Sequence, residues 1–300
     1  ANSLNDLTRE LTARPGRAAS GCIGAGGWLS QAGPSLKRPE MTAEDSPYTV
    51  RIATTPEDLT AAQRLRYEVF VAELGGDGPL VDHAARLERD AFDPHFDHLV
   101  LVDRRVDPAT MSHVIGAYRV LPGDRRAAAG RFYSEAEYDL GPLLASGRRL
   151  LELGRSCVHA DHRGGTAMFH LWNGLAEYVL ERGIEVLFGV ASFHGTDIAA
   201  LAAPLSYLHH HHLAPPAMRV RALPPHRQEM DLIPPEQLDR RTAMAATPAL
   251  IKAYLRLGGF VGDGAWIDRD FNTTDVCLVM DTGQMSARHR DFYIRKKGAA

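Results

Sequence analysis

The stretch that decides the fold is LLELGRSCVHADHRGGT, residues 150–166. Its first ten residues are largely apolar and predict a strand, and the chain then continues into a helical pattern that Gly183 closes. The apolar positions of that helix are Met168, Leu171, Trp172, Leu175 and Val179. Residues 185–191 predict a second, buried strand. This order of strand, glycine loop, helix and strand indicates a βαβ unit on a mixed sheet.

The elements on both sides of this unit predict one α/β domain over residues 47–300. Upstream we expect a strand at 48–53, a helix at 56–74, and an antiparallel meander of strands at 98–103 and 113–121. Thr55 is the predicted N-cap of the first helix, with Pro56 as its first residue and Asp58 as the capping-box acid. Downstream we expect helices at 197–209 and 249–257, a short strand at 218–222 and a final strand at 275–280.

Composition excludes several classes of protein. The chain has 300 residues, of which 45% are hydrophobic and 24% charged, as in globular domains. A net charge of −3 argues against non-specific nucleic-acid binding. Cys22, Cys157 and Cys277 are too widely spaced for a disulfide ladder or a CxxC metal pair, which favours the reducing cytoplasm.

The two ends of the chain differ from the rest. Residues 1–46 are rich in Gly, Ala, Ser and Pro and are predicted to form a flexible N-terminal extension. Near the C-terminus, basic residues at 288–297 alternate with Phe292, Tyr293 and Ile294. This segment is either a solvated charged tail or a site of peripheral membrane contact. No stretch reaches the roughly 18 apolar residues of a membrane span.

The glycine loop at residues 161–166 suggests a phosphate site. Gly164 and Gly165 precede a predicted helix, where free backbone N–H groups and the helix dipole attract an anion, and Arg163 adds a positive charge. A glycine pair before a helix is by itself usually only a turn. Its chemical meaning therefore depends on the surrounding sequence.

Several short motifs resemble those of the acyl-homoserine-lactone synthases, which are relatives of the GNAT acyltransferases. These motifs are Glu152 and Arg155 three apart on the central strand, Arg66 and Phe70 one helical turn apart, the cluster Asp90-Ala91-Phe92-Asp93, and Arg119 at the end of Gly116-Ala117-Tyr118-Arg119. The resemblance implies an α/β (α+β) GNAT-like fold, a mixed central sheet flanked by helices, with a C-terminal extension. It also implies an acyl donor that is a thioester.

Longer runs within residues 48–295 resemble the bacterial ornithine N-acyltransferases of ornithine-lipid synthesis. The runs are residues 152–158, 187–193, 195–197, 205–210, 251–258 and 270–277. The resemblance implies transfer of a 3-hydroxyacyl chain from acyl carrier protein to the α-amine of L-ornithine, giving lyso-ornithine lipid. The donor would be carried on the phosphopantetheine of the carrier protein, and no bound cofactor is expected.

The phosphate loop departs from the pattern of GNAT enzymes that use coenzyme A. Their pattern is Arg or Gln, two residues, Gly, one residue, then Gly or Ala. Counted from Arg163, this chain has Thr166 and Met168 at the glycine positions, and counted from His162 it has Gly165 and Ala167 but the wrong first residue. A carrier-protein donor presents a single phosphate at this place, so a less complete loop would suffice.

Amide formation needs a positioned amine, a proton acceptor, an oxyanion donor and an acid for the thiolate. Glu152 is the predicted proton acceptor, since burial on a strand raises the pKa of a carboxylate, and its alternative role is an ion pair with Arg155. Tyr207 is either the acid for the thiolate or a packed aromatic residue. Cys157 as a nucleophile is the weaker alternative, because GNAT-type transfer forms no covalent enzyme intermediate.

The resemblance also assigns the binding residues. Asp90 and Asp93 would hold the cationic ends of ornithine and Arg66 or Arg119 its carboxylate, with Phe70 and Arg155 beside them. Each has a structural alternative, a turn for the aspartates and a surface ion pair for the arginines. The predicted acyl-pantetheine site consists of Cys157, Val158, His159, Arg163, Gly164, Gly165 and Thr166.

Two further expectations concern basic and histidine-rich segments. Arg148, Arg149 and Arg163 are predicted to flank the pantetheine entrance and meet the acidic carrier protein, or else to form a solvated face. Residues 209–212 are four consecutive histidines, whose side chains point in different directions on a helix, so no required metal is expected. The competing functions are an acyl-homoserine-lactone synthase, which uses S-adenosylmethionine, and a non-enzymatic acyl-chain or histidine-metal binding module.

Overall fold

The computed structural model describes residues 46–163 and 166–284. The predicted extension up to residue 45, the glycines Gly164 and Gly165, and the basic segment at 288–297 lie outside these ranges. Within the described ranges, no helix is both long and apolar enough to cross a bilayer.

Nine of the described strands form one mixed sheet in the order β1-β2-β3-β5-β6-β11-β10-β8, with β9 also paired to β11. The strands are β1 Tyr48–Ile52, β2 Asp97–Asp103, β3 Val114–Pro122, β4 Tyr138–Asp139, β5 Leu150–Val158, β6 Val186–His194, β7 Arg221–Ala222, β8 Arg227–Gln228, β9 Phe260–Val261, β10 Ala265–Asp268 and β11 Thr273–Asp281. Strands β4 and β7 pair separately. The predicted meander is confirmed, because β1, β2 and β3 are antiparallel neighbours.

The helices flank this sheet, as the resemblance implied. They are α1 Pro56–Arg66, α2 Gly141–Leu144, α3 Ala167–Glu181, α4 Ile198–His212, α5 Arg240–Ala246 and α6 Ala249–Arg256. Apolar residues of α3, α4 and α6, including Leu171, Leu205 and Ile251, share one core cluster. Apolar residues of α1, including Ala62 and Leu65, pack in a second cluster with Val100 and Ala117 of the sheet. We call the α1 side of the sheet the α1 face.

The first predicted helix is confirmed in extent but changes its pitch. After α1 the chain continues as a π-helix over Tyr67–Glu73. Thr55 is the N-cap, since its Oγ1 accepts from the backbone N of Asp58 at 3.2 Å. Asp58 is not the reciprocal capping acid, because its carboxylate pairs with Arg51 and with His113 Nε2 at 3.2 Å.

The predicted βαβ unit is present, and it creates the feature that positions the site. Strands β5 and β6 are parallel and joined through α3, but their pairing covers only Leu150 to Glu152 against Val186 to Phe188. Gly189 marks the point of closest approach, where an added Cβ would lie 2.1 Å from the carbonyl O of Leu153. Beyond this point no described strand pairs with the β6 side of β5.

The structure departs from the predicted elements at 218–222. This segment forms a short 3₁₀ turn, Pro216–Met218, followed by the two-residue strand β7. Another 3₁₀ turn, Tyr133–Ala136, lies in a region without predicted elements and reaches the site from above the α1 face. Short turns of this kind have no periodicity that a sequence pattern can reveal.

Candidate active site

A bulge in β5 brings Glu152 and Arg155 to the same face of the sheet. Residues three apart on a regular strand point to opposite faces. Here Arg119 is opposite Gly154 and Ala117 is opposite Cys157, so Arg155 and the next residue together face one residue of β3. Arg155 has φ of 49°, in the left-handed region. The bulge turns its side chain to the α1 face, where Glu152 also lies.

The Glu152 carboxylate is bound by the Tyr133–Ala136 turn. Its Oε1 accepts from the N and the Oγ of Ser134, each at 2.7 Å, and its Oε2 accepts from the N of Tyr133 at 2.8 Å. Glu152 is 1% exposed. Burial raises the pKa of its carboxyl above the ordinary value, against the effect of these hydrogen bonds. The alternative of an ion pair with Arg155 is wrong, because that arginine pairs elsewhere.

Three arginines and three carboxylates alternate in a buried ion-pair network on the α1 face. The members are Arg66, Glu88, Asp90, Asp93, Arg119 and Arg155. Arg66 Nη1 is 2.7 Å from Asp93 Oδ1, and Arg66 Nε donates to Glu88 Oε2. Arg119 Nη1 is 2.6 Å from Asp90 Oδ1 and 2.9 Å from Asp93 Oδ1. Arg155 Nε is 3.1 Å from Glu88 Oε1.

This network corrects the predicted binding roles of four residues. Arg66, Arg119, Asp90 and Asp93 use their charges on one another, so the aspartates do not offer free carboxylates to ornithine and the two arginines do not offer free guanidinium groups. Burial alone would raise the pKa of Asp93, but Arg66 and Arg119 lower it to about 2. All four residues form ion pairs, but the pairs of Arg66 and Arg119 are buried rather than the surface pairs of the structural alternative.

Arg155 is the arginine of the network that reaches outward. Its side chain is 16% exposed, whereas those of Arg66 and Arg119 are 1% exposed. Its guanidinium carbon lies 5.1 Å from the ring centroid of Tyr133 and 5.8 Å from that of Phe271. Phe70 is half-buried and packs against the apolar cluster of α1. Arg155 also pairs with Glu88 and Asp90, but of the three arginines in the network it is the most exposed and therefore the best placed to meet a substrate.

The sequence interpretation missed several residues of the site. Glu88 completes the network only two positions before Asp90, so its spacing was a usable signal. Tyr133 and Ser134 carry no motif. Glu137 and Asp275 are buried carboxylates with raised pKa values. Burial is the main cause for both, and repulsion by Asp275 raises the pKa of Glu137 further. Nothing in their local sequence marks them.

At the far end of β5, most of the predicted acyl-pantetheine residues have other contacts. Arg163 binds Glu73 through two hydrogen bonds of 2.7 Å and donates from Nε to the carbonyl O of Val158 at 2.9 Å. The expected free charge is therefore absent at Arg163. His159 is bound through its backbone N to Ile115 O at 2.9 Å, and Thr166 is exposed at the start of α3. Gly164 and Gly165 lie outside the described residues.

The Cys157 thiol is unsuited to nucleophilic attack. Its side chain is buried in the apolar cluster that α1 forms with the sheet. Burial raises its pKa to about 12, so the reactive thiolate is scarce at neutral pH. The buried thiol thus favours direct aminolysis over a mechanism in which Cys157 is the nucleophile.

Arg148 and Arg149 do not flank the same entrance as Arg163, which corrects that prediction. They precede β5 whereas Arg163 follows it, and a nine-residue strand is about 30 Å long. Arg148 also pairs with Asp281 at 2.7 Å. A single basic entrance formed by these three residues is therefore wrong.

Tyr207 packs against the histidines of α4. Its ring centroid lies 4.5 Å from that of His211 and 5.7 Å from that of His212. His210 instead faces Asp231 at 3.1 Å. In the described ranges, no hydrogen bond or ring contact joins Tyr207 to Glu152, and no group of three or more His, Cys, Asp or Glu side chains is arranged to hold a metal ion.

Comparison with known proteins found matches to a domain family, to two relatives in sequence and to a solved structure. An acetyltransferase (GNAT) domain matches residues 65–173. An L-ornithine N(alpha)-acyltransferase of Rhodobacter capsulatus is 62% identical over 256 residues, covering 85% of this chain and 98% of that protein. One of Brucella abortus is 40% identical, covering 81% of this chain and 88% of that protein. A solved N-acyl amino acid synthase from uncultured soil microbes is 12% identical with a TM-score of 0.44, covering 79% of this chain and 92% of that one.

Proposed function

The chain belongs to the L-ornithine N(alpha)-acyltransferase family, and on that premise we propose that it transfers a 3-hydroxyacyl chain from acyl carrier protein to the α-amine of L-ornithine. The product would be lyso-ornithine lipid, formed by direct aminolysis. The observation that carries this proposal is the divergence of β5 from β6 immediately after Glu152, with Arg155 on the same face. We propose the cytoplasm as the place of the reaction.

The donor would lie along the open edge of β5. Beyond Glu152 this edge lacks a partner strand in the described part of the chain, so its backbone groups are available to the amides of a pantetheine arm. Gly154 lies at the start of the opening, and an added Cβ there would have no described atom within 4 Å. The thioester carbonyl would then lie near the bulge, with backbone N–H groups to polarise it.

The reaction needs one proton acceptor. The neutral α-amine attacks the thioester carbonyl, the C–N bond forms, the C–S bond breaks, and the amine proton passes through Glu152 to the departing thiolate. The raised pKa of Glu152 suits this role, and its Oε2 accepts only one of the three hydrogen bonds to the carboxylate. Arg155 would bind the carboxylate of ornithine and so orient the amine.

A carrier-bound donor is consistent with the contacts of Arg163. Its guanidinium group is held by Glu73 and by the carbonyl O of Val158. This leaves the phosphate loop with less charge than a coenzyme A phosphate cluster requires. The assignment of acyl carrier protein as partner rests on this argument and on the degenerate loop sequence.

The test is a transfer assay with a panel of acceptors. The protein is incubated with 3-hydroxyacyl carrier protein and with L-ornithine, L-lysine, glycine or S-adenosylmethionine, while free thiol and amide-linked lipid are measured. We expect thiol release and lipid with ornithine, and slower reaction when 3-hydroxyacyl coenzyme A replaces the carrier protein. Release with S-adenosylmethionine alone would indicate a lactone synthase, and no release with any amine would exclude the enzyme.

A further inference from the structure

Two buried carboxylates lie together on the α1 face, outside the ion-pair network. Glu137 follows the 3₁₀ turn that Glu152 holds, directly before β4. Asp275 is on β11, opposite Ser192 of β6. Glu137 is 3% exposed and Asp275 is 4% exposed. The hydroxyl group of Tyr138, the residue after Glu137, donates to the carbonyl O of Asp275 at 2.8 Å, so the two acids come from distant parts of the chain to neighbouring positions.

Neither carboxylate is fully satisfied. Asp275 accepts side-chain hydrogen bonds from Ser192 and Thr273, but its Oδ1, like Glu137 Oε2, is buried and has no hydrogen-bond partner among the described residues. In the ion-pair network, by contrast, each carboxylate has an arginine partner. Asp268 adds a third negative group that repels both acids, and its own Oδ1 accepts from the backbone of Asp270 and Phe271.

Burial of two unpaired carboxylates is unfavourable unless they share a proton or bind a cation. Arg155 is the cation that acts on both acids, but its guanidinium already contacts Glu88 and Asp90. The free oxygens of the two acids are therefore able to bind a further cation. A primary ammonium group has three N–H donors, enough for both free oxygens, and its positive charge offsets one of the two negative charges.

The position of the pair relative to Arg155 fits an amino acid. Arg155 is on β5, and Asp275 is on β11 beside β6, so the two charges lie on opposite sides of the gap between β5 and β6. Ser192 is exposed on β6, although its neighbours Ala191 and Phe193 are buried. A ligand with a carboxylate at one end and an ammonium at the other could span this gap.

We propose that Glu137 and Asp275, supported by Asp268, form a subsite that binds the side-chain ammonium of the acceptor amino acid. The inference rests on the proposed function and names its specificity determinant. The subsite replaces Asp90 and Asp93 in the role that the sequence assigned to them. With the carboxylate at Arg155 and the side-chain ammonium at this subsite, the α-amine is the remaining nucleophile and faces the open edge of β5.

The test compares L-ornithine with L-norvaline, which has the same carbon chain but lacks the side-chain amine. In the wild-type protein we expect tighter binding and lower KM for ornithine. In Glu137→Gln and Asp275→Asn we expect KM for ornithine to rise roughly 10- to 100-fold, as for loss of a charged hydrogen bond, while the values for norvaline change less than threefold. Calorimetric binding of both amino acids provides a readout that does not need the acyl donor.

The control is Asp270→Asn, which removes an exposed carboxylate two positions after Asp268 and should leave the ornithine to norvaline ratio unchanged. An unchanged ratio in both subsite variants would overturn the proposal. Equal losses with both amino acids in variants that fold normally would also overturn it, since they would indicate a structural or proton-transfer role. A wild-type protein that binds ornithine more tightly than norvaline but releases no thiol would refute the proposed function while supporting the subsite.

Discussion

At the scale of single residues, Glu152 combines two tasks. It is a buried carboxylate with a raised pKa, and it also binds the backbone of the turn that carries Tyr133 and precedes Glu137. A proton acceptor held by three hydrogen bonds is pre-positioned, but those bonds also limit the rise of its pKa. Any substitution at this position therefore affects stability and catalysis together, and the two effects must be measured separately.

We expect Glu152→Gln to slow acyl transfer by roughly 10²-fold, because an amide cannot accept the amine proton. It should also lower the free energy of unfolding by about 1–3 kcal/mol, since the amide NH₂ cannot accept from Tyr133 N or Ser134 N. Thiol release and denaturant unfolding measure the two effects. Ser134→Ala is the control, because it removes the 2.7 Å Oγ bond and keeps the carboxylate. Equal rates in the two variants would remove Glu152 from proton transfer.

The raised pKa of Asp275 predicts how the stability of the folded protein depends on pH. Burial first, and repulsion by Asp268, raise its pKa from 3.8 to about 6. The folded state thus binds more protons than the unfolded state between these values, so stability falls as pH rises from about 4 through about 6. This difference in proton binding corresponds to roughly 3 kcal/mol of unfolding free energy.

We expect Asp275→Asn to lack the loss of stability that the wild-type protein shows as pH rises. Relative to wild type, the variant should gain roughly 3 kcal/mol of unfolding free energy at pH 8 compared with pH 4, in denaturant titrations at both pH values. Asp270→Asn, at an exposed position, should show no such gain. A pH-independent difference between wild type and Asp275→Asn would show that the carboxyl has an ordinary pKa.

Residue identity alone revealed only part of the site. Glu152 and Arg155 were recognisable because their spacing on one strand resembles a known motif. Their partners were harder to recognise: Ser134 lies in a 3₁₀ turn without periodicity, and the only signal for Glu88 was its position two residues before Asp90. The bulge that turns Arg155 to the α1 face depends on a left-handed backbone at a non-glycine residue, which local propensity disfavours.

At the scale of elements, the opening between β5 and β6 depends on close contact just before it. Gly189 lies against the backbone of Leu153, and that contact sets where the strands diverge. The order and type of the main strands and helices were predicted well, because apolar periodicity and caps are local signals. The depth of pairing between two strands is a tertiary property, which explains why the opening was not foreseen.

Gly189→Ala should therefore be strongly destabilising. Its Cβ would lie 2.1 Å from the carbonyl O of Leu153, so β5 or β6 must move, and we expect a loss of about 2–3 kcal/mol in unfolding free energy. Gly154→Ala is the matched control on the neighbouring strand, where the Cβ meets no described atom within 4 Å and stability should change by less than about 1 kcal/mol. Denaturant unfolding of both variants compares them directly, and similar losses would contradict a specific contact at Gly189.

At the scale of the whole molecule, the ion-pair network joins four parts of the chain. Arg66 is on α1, Asp90 and Asp93 are in the segment before β2, Arg119 is on β3 and Arg155 is on β5. Such a buried network stabilises the fold only while every charge has its partner. It also fixes the position of Arg155, which connects overall stability to the geometry of the site.

Arg119→Met should destabilise the folded protein by about 3–5 kcal/mol, because it leaves the buried Asp93 and the partly buried Asp90 with fewer partners. Arg86→Met is the matched control: its pair with Glu68 has a similar distance of 2.7 Å, but the two side chains are 50% and 41% exposed, so water screens the pair and its loss should hardly change the unfolding free energy. Asp93 stabilises the protein above its ordinary pKa, and this contribution is lost as pH falls through about 2. In Arg119→Met the pKa of Asp93 should rise, so acid unfolding should begin at higher pH than in wild type. Equal unfolding free energies and equal acid midpoints for the two variants would show that the network does not stabilise the fold.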